Sequence, residues 1–400
     1  MIKLRGEQVV DLETSLGVFL GLWGIAYLLG RLKRVRQRGI QVKPFFIMYK
    51  SEKVEKWLQG IAMRTSFWGK FASFSVGLGV VLMISSVAFL LFNFIRAFQG
   101  GGGFSEVTLL IPGLTIISPE RLLFFFLSVP IILLIHEGAH GIVAILEKIK
   151  VKSGGVAALV TLIAGFVEPD EEEFKKAPAK SRMKVLAVGS SANVVFSFLV
   201  AGLLLIHPFF AVGLPTPIRS TFYGDLSGIQ ISGLAEGSGA AIAGIRVEDV
   251  ITHINGVRVT SFDSFNLKPG ETVSVSILRG TEVILFQVTT QASVRDPTKG
   301  VIGITSAFPY YPPRISLGFI WPIPVMLFLF WLWFLSFNIG LFNMLPFYPL
   351  DGDGFFNALI GTKLSESSRH LLRVSVNGFA LALLAANLIT TFLRAGFITI

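Results

Sequence analysis

Long apolar runs, more than alternating patterns, dominate this chain. A helix needs about 20 apolar residues to cross the hydrocarbon core of a bilayer. Stretches free of Asp, Glu, Lys and Arg cover Thr14–Gly30, Phe71–Ile95, Val185–Ile218, Ile315–Leu350 and Val374–Leu393. A further run, Leu122–Leu146, is broken only by His136, Glu137 and His140. The pattern predicts a polytopic α-helical membrane protein with about six transmembrane helices. The first run is read as a retained span, because Lys3 and Arg5 are followed by Glu7, Asp11 and Glu13 and no small-residue cleavage pattern follows it.

Between Thr221 and Ala292 the pattern changes to period two. Ile229-Gln-Ile-Ser, Val250-Ile-Thr-His-Ile and Thr272-Val-Ser-Val-Ser-Ile-Leu read as half-buried strands. Asn255-Gly256, between Ile254 and Val257, is a hairpin turn signal. Ser238 to Gly244 reads as a short Ala-rich helix closed by glycine. A small α+β domain is expected here, with His253 as a strand residue at its surface. The shorter apolar stretch Val156–Val167, preceded by Gly154-Gly155, is too short to span comfortably and is a candidate for strand structure at membrane depth.

Composition agrees with a membrane protein. Hydrophobic residues make up 52% of 400 and charged residues 15%, against about 25% charged in a soluble domain. A disordered chain is excluded and a wholly soluble one is disfavoured. The formal net charge of +10 fits cytoplasmic loops against anionic lipid, with the bilayer and not nucleic acid as partner. Arg31–Lys70 holds eleven Lys and Arg and should be cytoplasmic, whereas Gln99–Glu120 holds none and should be external. Glu147–Lys184 is then internal and the 221–292 domain external. The acidic cluster Glu168–Glu173 is expected to be solvated. With no cysteine there is no disulfide, thiolate metal site or cysteine nucleophile, so any metal must be held by His, Asp or Glu.

Candidate chemistry concentrates in the third run, Ile135-His136-Glu137-Gly138-Ala139-His140-Gly141. Histidines at i and i+4 share one helix face and can converge on one zinc ion, with the adjacent Glu placed to take a proton from water at that ion. Three ionisable residues within five positions of a span are costly unless they function. The fifth run ends in Asn343-Met-Leu-Pro-Phe-Tyr-Pro-Leu-Asp-Gly-Asp-Gly354, where two prolines and two glycines break the helix. A carboxylate there, Asp351 or Asp353, can complete a three-ligand site, and spacing alone does not choose between them.

Together the His-Glu-x-x-His and Asn-x-x-Pro-x-x-Pro-Leu-Asp-Gly motifs make the chain resemble the site-2 protease family of intramembrane zinc metalloproteases, from about Leu122 to Leu393. The resemblance implies one zinc ion (Zn2+) per chain held by His136, His140 and Asp351, with Glu137 as general base and acid. It implies that Asn343 binds substrate backbone or the developing oxyanion. A third family element, Gly-x-x-x-Asn, matches Gly189 and Asn193, with Asn193 steadying the site or gripping substrate. The 221–292 insert resembles a PDZ domain but lacks a clear Gly-Leu-Gly-Phe carboxylate loop, and Val156–Val167 resembles the family's membrane-associated β hairpin.

The expected organisation is a two-span region with a basic loop (1–120), core spans three and four with the β region (121–220), the PDZ-like domain (221–292), and core spans five and six (293–400). The expected function is zinc-dependent hydrolysis of peptide bonds in or near transmembrane segments of single-span substrates. Cleavage would follow that of an upstream site-1-type protease if the external domain excludes bulky ectodomains. The expected location is the plasma membrane of a prokaryote. A membrane metal transporter and an inactive PDZ scaffold are the alternatives; a transporter has no use for Glu137 as a base.

Overall fold

The structure is a computed structural model, and it describes residues 21, 23–25, 27–32, 39–51, 53–99, 103–159, 162–205, 207–259, 261, 267–294, 296–314, 322–361, 364–396 and 398. The chain divides into two compact units, one of residues up to Ser197 together with those from Phe334 onward, the other Phe198–Trp333.

The first unit opens with β1 (Ile40–Lys43) and β2 (Phe46–Ser51), an antiparallel hairpin, then α1 (Lys53–Ala62). Two long apolar helices follow, α2 (Phe67–Phe98) and α3 (Pro119–Leu146). Next come β3 (Val151–Leu159), β4 (Leu162–Pro169), the short α4 (Glu171–Lys176) and α5 (Ala179–Leu204). The four strands make one antiparallel sheet in the order β1-β2-β3-β4. Gly154-Gly155 is what lets β2 and α1 join the β3–β4 hairpin. A Cβ on Gly155 would run into the Tyr49 carbonyl, and one on Gly154 would lie 2.9 Å from Val54. Leu58 of α1, 1% exposed, packs in one core with Ala139, Ile142 and Val143 of α3 and Val185 and Val188 of α5.

Buried positions on α2 recur three and four apart: Ala72, Ser75, Gly79, Leu82, Ser86, Leu90, Asn93 and Ala97. Small residues on that stripe allow close helix packing; a Cβ on Gly79 would lie 2.8 Å from Ala187. Phe74, Val81, Ile84 and Phe92 on the same helix stay exposed, as a lipid-facing surface requires.

The second unit continues with a 3-10 turn, Pro208–Gly213, and α6 (Thr216–Phe222). Its sheet comprises β5 (Gly228–Leu234), β6 (Val250–Ile254), β7 (Val257–Arg258), β8 (Thr272–Arg279) and β9 (Glu282–Thr289), with α7 (Gly239–Ala243) between β5 and β6. The short strands β10 (Gln291–Ala292) and β11 (Gly300–Val301) pair with each other, and β12 (Ile304–Tyr310) closes the order β12-β5-β6-β8-β9. Alternate residues Val273, Val275 and Ile277 fill its core with Ile229, Ile231 and Ile251. Asn255 (φ 49°) and Gly256 (φ 77°) make the expected hairpin turn, with positive φ at both central residues. Ser238 Oγ caps α7, and Gly244 at φ 92° ends it. His253 lies half-buried on β6 beside Thr252 Oγ1. The sheet takes in β12, beyond the 221–292 interval, because Ala307–Tyr310 pair with β5 although their sequence alternates poorly. Chain entering and leaving the sheet meet: the Gly224 N–H donates to the Pro312 carbonyl at 2.7 Å, and Arg314 N–H to the Phe222 carbonyl at 2.8 Å.

The chain returns to the first unit along α8 (Ile323–Phe342), then α9 (Asp351–Ile360) and α10 (Glu366–Ala395). Asn93 of α2 and Asn387 of α10 hydrogen-bond at 2.9 Å, both buried.

Among the described residues five helices are long and apolar enough to cross a membrane: α2, α3, α5, α8 and α10. The remaining expected span, Thr14–Gly30, lies largely outside the described residues; 21, 23–25 and 27–30 are helical. Two expected spans are shorter than their charge-free runs. The run from Val185 to Ile218 yields a helix that starts at Ala179, among basic residues, and stops at Leu204. Pro208 explains the stop, since its ring would clash with the carbonyl four residues back. In the run from Ile315 to Leu350, the described helix is Ile323–Phe342, and it ends ahead of Pro346 and Pro349.

Candidate metal centre

Helix α3 carries His136 and His140 one turn apart on its buried face, at 5% and 9% exposure. Glu137, next to the first, is half-buried. The other arm of the centre comes from the non-helical stretch 343–350. The Gly352 N–H donates to the Asn343 carbonyl at 3.0 Å, folding the stretch back on itself. A Cβ on Gly352 would run into the Met344 and Leu345 carbonyls. That turn presents Asp351 at the start of α9.

Three ligand atoms converge. His136 Nε2 and His140 Nε2 lie 3.1 Å apart, and Asp351 Oδ2 lies 3.2 Å and 3.0 Å from them. The Asn343 amide donates to Asp351 Oδ2 at 2.6 Å and stands 3.1 Å from His136 Nε2. The trio is a group whose donor atoms are placed to hold a metal ion.

Supporting contacts set the imidazoles. His140 Nδ1 lies 2.6 Å from the Val185 carbonyl, which can only accept, so Nδ1 carries the proton and Nε2 presents its lone pair. Asn193, fully buried on α5, has its amide 3.1 Å from His136 Nδ1, and its Oδ1 has no partner. Turning that amide over gives the orphan oxygen the Nδ1–H of His136 and aims the Nε2 lone pair at the trio. Ser336 Oγ of α8 donates to the Asn193 carbonyl at 2.9 Å. Gly189 lies against His140, where a Cβ would collide with the ring.

This donor set fits zinc. Tetrahedral zinc with bonds of about 2.0–2.1 Å places neighbouring donors about 3.3 Å apart, close to the separations seen. Two imidazole lone pairs and a carboxylate oxygen repel one another unless a cation lies among them.

Asp353, the rival ligand, is engaged elsewhere. Arg373 of α10 donates to it from Nε at 2.8 Å and Nη2 at 2.5 Å, and Asn377 from Nδ2 at 3.0 Å. The Arg373 guanidinium holds its carboxyl below the usual carboxylate range. The acidic cluster is not simply solvated. Glu168 pairs with Lys50 of β2 and accepts from Ser153 Oγ at 2.6 Å. Asp170 caps α4 and pairs with Lys152 at 3.1 Å, and Glu173 accepts from the Lys150 N–H at 2.7 Å.

Glu137 Oε2 accepts from the backbone N–H of Val167 on β4 at 3.0 Å. A cavity of about 260 Å³ opens beside it, lined by Glu137, His140 and Asp351 and by Val167, Phe174 and Leu186. The Val167 amide and the Val185 carbonyl are backbone groups, which no motif could reveal.

The family model described as Peptidase family M50 matches residues 124–385. The chain belongs to peptidase family M50. This is the site-2 protease family, and the five membrane-length helices among the described residues make the protein an integral membrane protein. The M50 match spans both arms of the centre, from α3 to α10. An uncharacterized protein of Methanocaldococcus jannaschii is 28% identical over 245 residues, 60% of this chain and 58% of that protein. The match thus covers less than two thirds of that relative's length.

Proposed function

We propose that this protein is an intramembrane zinc endopeptidase that hydrolyses peptide bonds in or near the transmembrane segments of single-span membrane proteins. The observation that carries the reading is the meeting of His136, His140 and Asp351 beside the half-buried Glu137, in a unit built on membrane-length helices. His136, His140 and Asp351 would hold the ion. Bound zinc supplies a Lewis acid that polarises a carbonyl and makes water more acidic. Glu137 accepts the proton from the attacking water and returns it to the leaving amine. The Asn343 amide, beside the trio, steadies Asp351 and offers donor capacity to a carbonyl oxygen that gains charge.

A substrate helix ties each carbonyl to an N–H four residues on, so it must unwind before hydrolysis. The unwound segment pairs with the outer edge of β4, in our reading of β3–β4 as a membrane-associated hairpin. The basic segments lie on the cytoplasmic side, and the second unit is a PDZ-like extracytoplasmic domain of a prokaryotic plasma membrane protein.

Reconstitution into liposomes with a single-span substrate tests the proposal. Cleavage should fall to background with a zinc chelator such as 1,10-phenanthroline and return with added zinc. Cleavage indifferent to chelation would defeat it.

The second unit is assigned the task of excluding substrates with bulky ectodomains, so that cleavage follows an earlier trimming step. Because Gly224 and Pro312 are hydrogen-bonded neighbours, residues 225–311 can be exchanged for a short linker. The shortened enzyme should then cut untrimmed and trimmed substrates at similar rates, whereas the full chain should prefer the trimmed form. An undiminished preference, measured by the two initial rates, argues against an exclusion role.

A further inference from the structure

We infer that the backbone amide of Val167 positions the Glu137 carboxylate and, in doing so, ends the substrate-pairing edge of β4 at that residue. The inference rests on the strand-pairing reading above and adds the group that fixes the base and the register.

β4 is the last strand of its sheet. In an antiparallel pair, alternate residues exchange hydrogen bonds with the neighbouring strand, and the residues between them turn their N–H and C=O groups away from it. The Val167 N–H goes to Glu137 Oε2, not to β3. The residues of the same parity, Gly165 and Ile163, therefore also present their main-chain groups outward, while Phe166 faces Gly155 of β3 within the ladder. Glu137 thus occupies the outward amide of Val167. One of its oxygens is fixed by Val167, leaving the other for the proton.

Gly165 permits this seating. A Cβ there would lie 3.3 Å from Glu137 Cγ and 3.4 Å from Leu133 Cβ, so a side chain would have to shift the Glu137 stem by a few tenths of an ångström. A substrate strand can pair with Ile163 and Gly165 but finds the next amide taken, and it must leave the edge at Val167. The peptide bond just past the paired segment is the one delivered to Glu137. Val167 is therefore a positioning residue acting through Glu137, and the edge positions before it determine which bond is cut.

Proline substitution separates these roles. Proline is tolerated on an edge strand where the N–H points away from the ladder, which is the situation at 163 and 167 but not at 166. In the reconstituted full-length enzyme, Val167→Pro should lower kcat about 10- to 100-fold relative to Val167→Ala, which keeps the N–H, with little change in KM. Ile163→Pro should instead raise KM. Phe166→Pro should disrupt the hairpin and reduce the yield of folded protein. Bound zinc, measured per chain, should be retained in both 163 and 167 variants.

A second readout does not depend on turnover. The Val167 amide should be protected from hydrogen–deuterium exchange in the wild type and lose that protection in Glu137→Ala. Equal kcat for Val167→Pro and Val167→Ala, or unchanged exchange at 167 in Glu137→Ala, overturns the inference. A wild type that cuts no single-span substrate would instead refute the protease reading, with the exchange measurement still deciding the role of the amide.

Discussion

Glu137→Gln should keep one zinc per chain and cut a reconstituted single-span substrate about 10³-fold more slowly, within the range that general acid–base catalysis supplies. The change conserves shape. Glu137 is not among the three converging ligand atoms, so metal content should not change. Its contact with β4 also survives, because the glutamine carbonyl oxygen can accept from the Val167 N–H as the carboxylate does. What disappears is a group able to take a proton at neutral pH. Metal analysis and initial rates on the same preparation check both halves. A variant that lost zinc would make Glu137 a ligand; one that kept its activity would assign the proton transfer to another group. The experiment also separates proteolysis from metal transport, since a transport path has no need of a base beside its first ligand.

The parts of this molecule legible in its sequence are those whose physics is local. His136 and His140 share a face because of helix periodicity, and Asn255-Gly256 turns because of its backbone preferences; both required only neighbouring residues. The C-terminal ends of α5 and α8 fall short of the charge-free runs because proline, not charge, stops a helix. Pairing of β2 with β3 joins Lys50 to Gly155 across a long interval of chain. Its only sequence trace is the Gly154-Gly155 pair, which makes room for the incoming strand. The groups that orient the centre were hidden for a different reason. A carbonyl at Val185 and an amide at Val167 exist at nearly every position of any chain, so residue type carries no information about them. Glu168 illustrates the same limit for charge: it reads as one of a solvated run until Lys50 and Ser153 are seen around it.

The choice between two aspartates two residues apart leads to the other large effect. Asp351→Ala removes one of three convergent donors and should weaken zinc binding by more than about 100-fold, beyond what loss of a supporting contact costs. Purified protein should then carry little zinc, and cleavage should be lost with it. Asp353→Ala should behave in the opposite way. Its carboxylate is 4% exposed and bound by Arg373 and Asn377, so its loss leaves a guanidinium without its partner. Breaking a buried pair costs about 3–5 kcal/mol. Arg373 remains 39% exposed, and water can partly replace the lost acceptor, which reduces the expected cost to about 1–3 kcal/mol. The variant should unfold at lower temperature yet retain its zinc. Metal content and thermal unfolding on the two variants thus form a crossed pair: zinc is lost at 351 and stability at 353. A zinc-free Asp353→Ala beside a zinc-loaded Asp351→Ala would reverse the ligand assignment, because the helix turn that starts α9 places the two carboxylates in different surroundings and allows only one of them to face both imidazoles.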